Sequence, residues 1–183
     1  MLENEKKKLP ILISEEEIQE KIKKMGKEIT LYYKDKISQS NPLVVIGVLK
    51  GAFIFMADLI RQINLPVIID FIRLSSYGKD SKSSGSVKMM HKNTEKIIGK
   101  HVLIVEDIID TALTLNFFMN DLKKEEASSV EVVALFLKKE KYKSEYKIKF
   151  TGFETKDKFL VGYGLDYNEL YRNLPYVSYL ENI

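Results

Sequence analysis

One stretch of this 183-residue chain concentrates groups able to do chemistry: Glu106-Asp107-Ile108-Ile109-Asp110-Thr111-Ala112-Leu113-Thr114. Three carboxylates within five residues repel one another, so a merely structural loop gains nothing by placing them together. Glu106 and Asp107 can accept hydrogen bonds from vicinal hydroxyls. Asp110-Thr111-x-x-Thr114 then opens a helix, where free backbone N–H groups and hydroxyls form an anion site. A sugar phosphate satisfies both halves at once. Taken alone, the same residues also read as a helix cap beside two solvated acids.

Hydrophobic patterning predicts the elements that carry this segment. Ser14-Glu15-Glu16-Glu17 matches a capping box, and Ile18, Ile22, Met25 and Ile29 follow at helical spacing. A first helix is expected from about Glu15 to about Lys36, before the break at Asn41-Pro42. Leu43 to Leu49 is a continuous apolar run, as in a strand buried on both faces. Ala52 to Ile63 reads as a helix, and Val67 to Leu74 as a second buried strand. Ser75 to Ser86 has almost nothing to bury and is expected to be a mobile loop, with a short strand at Val87 to Met90 beyond it.

Val102 to Val105 is a third strand, directly before the acidic segment, and a helix follows from about Thr111 to Lys124. Val130 to Leu137 is a fourth strand, with weaker ones near Tyr146 to Phe150 and Phe159 to Tyr163. Alternation of strand and helix predicts an α/β fold: a twisted, mostly parallel sheet with helices on both faces. A single domain is expected, with a core at about 37–155 and a small hood from about 1–36 and 156–183. Ligands of such sheets bind beyond the carboxyl ends of the strands, where the acidic segment falls.

Composition narrows the function classes. The net charge is only +3 and the pI about 8.8, without the concentrated charge of a nucleic-acid binder. The lysine clusters Lys6 to Lys8 and Lys138 to Lys149 read as solvated surface, the second being broken by Glu140 and Glu145. With no cysteine and only His91 and His101, neither role-bearing, a thiolate or histidine metal site is excluded in favour of a hard cation on carboxylates. No run approaches the roughly 20 apolar residues of a membrane span. The N-terminal residues lack the apolar segment of a signal peptide, so a soluble cytoplasmic protein is expected, with no nucleic acid or membrane as partner.

Val105 to Thr114 closely resembles the phosphoribosyl-pyrophosphate signature of the purine phosphoribosyltransferases, and the chain is most similar to the hypoxanthine-guanine branch of that family. The resemblance extends in the family's order through Leu49-Lys50-Gly51, Ser75-Ser76-Tyr77-Gly78, Lys138, and Asp157 to Glu169. It implies the type I phosphoribosyltransferase fold and, residue by residue, a set of roles. Glu106 and Asp107 would bind the donor's ribose hydroxyls, Asp110 would act as general base near the purine N7, and Asp110, Thr111, Ala112, Leu113 and Thr114 would wrap the 5′-phosphate. Lys50 and Gly51 would belong to the loop whose backbone meets the pyrophosphate, a loop whose peptide can be cis in the family, and Arg172 would contact the pyrophosphate. Lys138 would donate to the purine 6-oxo group, Phe159 would stack on the base and Leu160 would read its edge through the main chain. Asp166 would hold magnesium (Mg2+) beside the purine site, while Ser76 and Tyr77 would belong to a closing lid. Family members are dimers or tetramers, so a homodimer or homotetramer is expected.

Outside that order each residue reads plainly: Lys138 as a solvated lysine, Phe159 as a core aromatic, Asp166 as a turn residue, Arg172 as a surface charge. The family usually has glycine where this chain has Ala112; alanine resists positive φ, so an α-like or relaxed backbone is expected there. Two other classes compete. A non-catalytic sensor of the donor would need no purine pocket, which Lys138 and Phe159 argue against. A dinucleotide-dependent oxidoreductase would need a G-x-G-x-x-G after a strand, and none is present.

Overall fold

A computed structural model describes residues 9–76, 87–90 and 97–181. Helix α1 (Glu15–Tyr33) begins as its sequence dictates. Ser14 Oγ accepts from the Glu17 amide at 3.2 Å, and Glu17 Oε2 accepts from the Ser14 amide at 2.8 Å, satisfying two orphan donors at once. The helix ends three residues short of the expected Lys36, in a turn closed by the Lys36 amide on the Tyr33 carbonyl.

Strand β1 (Leu43–Leu49), helix α2 (Phe53–Ile60), β2 (Val67–Ser76), β3 (Val87–Met90) and β4 (His101–Ile109) follow. Helix α3 (Leu113–Leu122), β5 (Ser129–Leu137), β6 (Phe150–Glu154), β7 (Phe159–Val161) and β8 (Ser178–Leu180) complete the order. Six strands form one sheet in the order β3-β2-β1-β4-β5-β6, parallel throughout except for β3 on β2. The chain winds away in both directions from β1 and β4, so the crevice beyond their carboxyl ends is the switch point where open α/β sheets bind ligands.

Alternation along the central strands sorts the core into two layers. Leu43, Val45, Leu103, Val105, Val133 and Leu135 face α1 and α2, packing with Ile18, Ile22, Met25, Ile29, Phe55, Met56 and Leu59. Their neighbours Val44, Ile46, Val102, Ile104, Val132 and Ala134 face α3 and meet Leu115, Phe118, Met119 and Leu122. Each fully buried aliphatic or aromatic side chain contributes about 1.5–3 kcal/mol. The C-terminal segment is tied back to the entry of α1, because the Leu12 and Ile13 amides donate to the Val177 carbonyl. No helix among the described residues is long and apolar enough to cross a membrane.

Several further boundaries differ from the sequence expectation. β4 does not stop at Val105 but continues to Ile109, because its ladder with β5 runs on through Glu106↔Ala134, Ile108↔Phe136 and Ile109↔Leu137. The acids Glu106 and Asp107 are therefore strand residues, not loop residues, and α3 begins at Leu113 instead of Thr111. The strand expected at Tyr146 to Phe150 lies at Phe150–Glu154. There Phe153 stacks on Phe136 at 5.6 Å, and Gly152 passes where a Cβ would lie 2.6 Å from the Leu135 carbonyl. Finally, α2 closes at Ile60, and β7 ends at Val161 where Gly162 takes φ 98°.

Candidate active site

The end of β4 supplies the acids and the end of β1 supplies the backbone they face. Glu106 is buried, which pushes its carboxyl well above the ordinary range, with the charge of Asp107 acting in the same direction. Burial raises Asp107 to about 6, opposed by hydrogen bonds from backbone N–H groups and by Arg172. The Leu49–Lys50 peptide is cis. Gly51 brings its backbone against Asp107 so closely that a Cβ would lie 1.7 Å from Oδ2. Gly164, at φ 98°, packs on the other side, where its own Cβ would be 2.3 Å from the Gly51 carbonyl. At Gly164, with backbone in the way and a positive φ, only glycine fits; at Gly51 a Cβ would require the Asp107 carboxylate to move.

Past the strand end the chain reverses at Ala112 with φ 67°. The α-like or relaxed backbone expected for alanine is therefore not what forms: the position is left-handed. Its carbonyl accepts from the Asn116 amide at 2.9 Å and its methyl is buried, so the turn into α3 holds it there against a cost of about 1–2 kcal/mol. Thr111 is exposed beside it, and Leu113 and Thr114 lie in the first helical turn. The backbone of residues 110–114 thus forms the turn that opens α3.

A chain of charges lies along the carboxyl ends of β4 and β5. Lys138 follows β5, its amide donating to the Ile109 carbonyl at 3.0 Å, and is only 8% exposed. Its Nζ contacts Asp110 Oδ2 at 3.0 Å and Asp157 Oδ1 at 3.2 Å, while Lys141 Nζ meets Asp157 Oδ2 at 2.6 Å. The solvated lysine of the plain reading is thus excluded. Asp110 Oδ1 is buried and has no hydrogen-bond partner among the described residues.

A second cluster gathers the C-terminal residues. Arg172 donates to the Gly164 carbonyl at 2.7 Å, pairs with Asp166 Oδ1 at 2.7 Å and reaches Glu169 Oε2 at 3.4 Å. Lys50 Nζ meets the same Glu169 oxygen at 2.8 Å. Phe159 is 43% exposed and touches Tyr167 edge-on at 5.6 Å, so it is not the core aromatic of the plain reading, whereas Leu160 is buried. Ser76 ends β2 opposite Val87, and Tyr77 with the rest of the expected lid to Ser86 lies outside the described residues, as does His91. His101 contacts Ser129 through Nδ1 at 2.7 Å, away from this crevice. Sequence reasoning assigned no role to Asp157, Lys141 or Glu169, although the first and last stand inside a motif it quoted.

Residues 15–168 match the family model described as the phosphoribosyl transferase domain. The chain belongs to the phosphoribosyltransferase family. It is 47% identical over 171 residues to the hypoxanthine-guanine phosphoribosyltransferase of Bacillus subtilis (strain 168), covering 93% of this chain and 92% of that one. It is 44% identical to the enzyme of the same name from Aquifex aeolicus (strain VF5), covering 96% and 97%. Among solved structures, Trypanosoma cruzi hypoxanthine phosphoribosyl transferase superposes with a TM-score of 0.87 at 42% identity, over 94% of this chain and 91% of that one. That structure addresses the role of the C-terminal region in oligomeric state and enzymatic activity.

Proposed function

We propose that this phosphoribosyltransferase works in purine salvage, moving the ribosyl 5-phosphate of 5-phosphoribosyl 1-pyrophosphate to N9 of hypoxanthine or guanine. The products are IMP or GMP and pyrophosphate. One observation carries the choice of a 6-oxopurine: the buried Lys138 ammonium held 3.0 Å from Asp110, whose second oxygen is unpartnered among the described residues. An ammonium with two N–H groups on carboxylates keeps one for an acceptor, and a 6-oxo group is an acceptor where adenine offers a donor.

The remaining groups fit in order. Asp110 Oδ1 accepts the purine proton at N7, or a hydrogen bond that strengthens as charge moves. The exposed ring of Phe159 is free to stack on the base, and the buried Leu160 offers its main chain to the base edge. Glu106 and Asp107 hold the ribose hydroxyls, residues 110–114 the 5′-phosphate, and Lys50, Gly51 and Arg172 the departing pyrophosphate. Departure of that group leaves oxocarbenium character at C1′, which the facing carboxylates would favour.

Asp166 fits a magnesium site. Its two oxygens accept from Arg172 and from the Glu169 amide at 2.9 Å, which leaves lone pairs on a carboxylate that donor oxygens and water can complete. Magnesium bound there would supply neutralisation of the leaving pyrophosphate's charge. We extend the proposal to a homodimer or homotetramer, as the resemblance implies, and to a cytoplasmic location, as the composition suggests.

A spectrophotometric assay with donor, magnesium and each of hypoxanthine, guanine, xanthine and adenine tests the reading. Turnover of hypoxanthine and guanine with little of adenine is expected. Donor binding without turnover of any base would make the chain a sensor instead.

A further inference from the structure

We propose that Asp157 is a positioning residue of the purine site, holding the Lys138 ammonium and the ring of Phe159 in one fixed relation. The inference rests on the reading of Lys138 and Phe159 as purine contacts and adds a residue to which that reading gives no role.

Lys138 is nearly buried, and its Nζ has two carboxylate partners, Asp110 at 3.0 Å and Asp157 at 3.2 Å. With both in place, one N–H is left over, and its direction is set by the other two. Were Asp110 the sole partner, the ammonium could rotate about that single contact. Asp157 is itself fixed, because Lys141 takes its second oxygen at 2.6 Å. Lys138 and Lys141 together hold the Asp157 carboxyl below the usual carboxylate range, so it stays ionised at neutral pH.

Position along the chain supplies the second half of the argument. Asp157 lies three residues after β6 and two before Phe159, which begins β7. Its carboxylate is therefore the tie between the segment leading to Phe159 and the end of β5. Exposed ion pairs contribute little, but this one differs in having a buried ammonium at its centre. A base bound between Lys138 and Phe159 would meet an edge reader and a stacking face whose spacing Asp157 maintains.

Steady-state kinetics of Asp157→Asn and Asp157→Glu, varying hypoxanthine and donor separately, test this. Asp157→Asn should raise the hypoxanthine KM by roughly tenfold while leaving the donor KM nearly unchanged. Asp157→Glu should recover most of the loss. In a Lys138→Met background, Asp157→Asn should have little further effect, because its route to the base is gone. An unmoved hypoxanthine KM, equal rises for both substrates, or full additivity with Lys138→Met would each overturn the inference. Absence of hypoxanthine turnover in the unsubstituted protein would overturn the proposed function and this inference with it; turnover with an unaffected Asp157→Asn would overturn the inference alone.

Discussion

Glu106 and Asp107, near the end of β4, and Asp157 and Glu169, in the C-terminal segments, are all carboxylates, yet their surroundings push them in opposite directions. Burial raises the first two, Asp107 to about 6, whereas lysine partners lower the second two. The strand acids are placed by a rigid ladder and have given up water, so they are prepared for a ligand that brings its own hydroxyl donors. The loop acids are solvated and already paired, so they orient cations. One site thus obtains two tasks from one functional group, and the difference lies in backbone placement.

The sharpest way to break this comparison is Asp110, which belongs to both groups: it follows the strand acids in sequence and is paired to a lysine. Asp110→Asn should lower turnover by about 10²–10⁴-fold while leaving donor affinity mostly intact, as for a general base acting in the transition state. Single-turnover rates together with donor titration would show it. An unchanged forward rate across neutral pH would leave Asp110 a structural partner of Lys138 only.

Asp107 tests the burial side. A carboxyl raised from 3.8 to about 6 holds its proton more tightly in the folded state. Stability is therefore greatest below the unfolded value and is lost as pH rises through about 6. At pH 7.5 the charged form costs about 3 kcal/mol, at 1.36 kcal/mol per pH unit. Asp107→Asn should melt higher than the parent at pH 7.5 in the ligand-free state, by up to about 10 °C, and keep only about a third of that advantage at pH 4.5. Its donor affinity should fall. Thermal midpoints at the two pH values, with a donor titration, decide the point.

Lys138 tests the paired side. A hydrogen bond from a charged group is worth about 1.5–3 kcal/mol, so Lys138→Met should reduce kcat/KM for hypoxanthine and guanine by roughly 10- to 150-fold. Retained efficiency with hypoxanthine would remove the purine assignment. The smallest effect is expected at Glu169, which occupies Lys50 and Arg172, the two side chains proposed to meet pyrophosphate. Glu169→Gln should tighten pyrophosphate binding by less than about fivefold, as befits an exposed pair, and calorimetric titration would register it. Weaker binding would mean that the carboxylate supports the site instead of competing for its cations.

Much of the scaffold was legible because a parallel sheet writes itself as apolar runs. Leu43 to Leu49 and Val130 to Leu137 were placed to within a residue for that reason. The end of β4 was not, because Glu106 and Asp107 look like a loop until the ladder with β5 is seen to carry them. β6 was shifted because Tyr146 to Phe150 has the better alternation, while its neighbour's register selects Phe150 to Glu154. The conformation of Ala112 is not legible from its residue type, since a turn closed on Asn116 outweighs alanine's own preference. The motif residues were legible through resemblance, whereas the contacts of Asp157 with Lys138 and Lys141 join segments that only folding brings together.

The contact between Gly51 and Asp107 also constrains how this sequence can change. Any side chain at position 51 would have to displace a carboxylate oxygen 1.7 Å from its first carbon. Shortening Asp107 would make room, but at the loss of an acid proposed to meet the ribose. Gly51 can gain a side chain only if the Asp107 carboxylate swings out of its place. The two positions are fifty-six apart in the chain, yet a change at the first is expected to need an accommodating shift at the second. Saturation mutagenesis of this stretch should therefore find its narrowest tolerance at Gly51, where no charge and no reactive group is present.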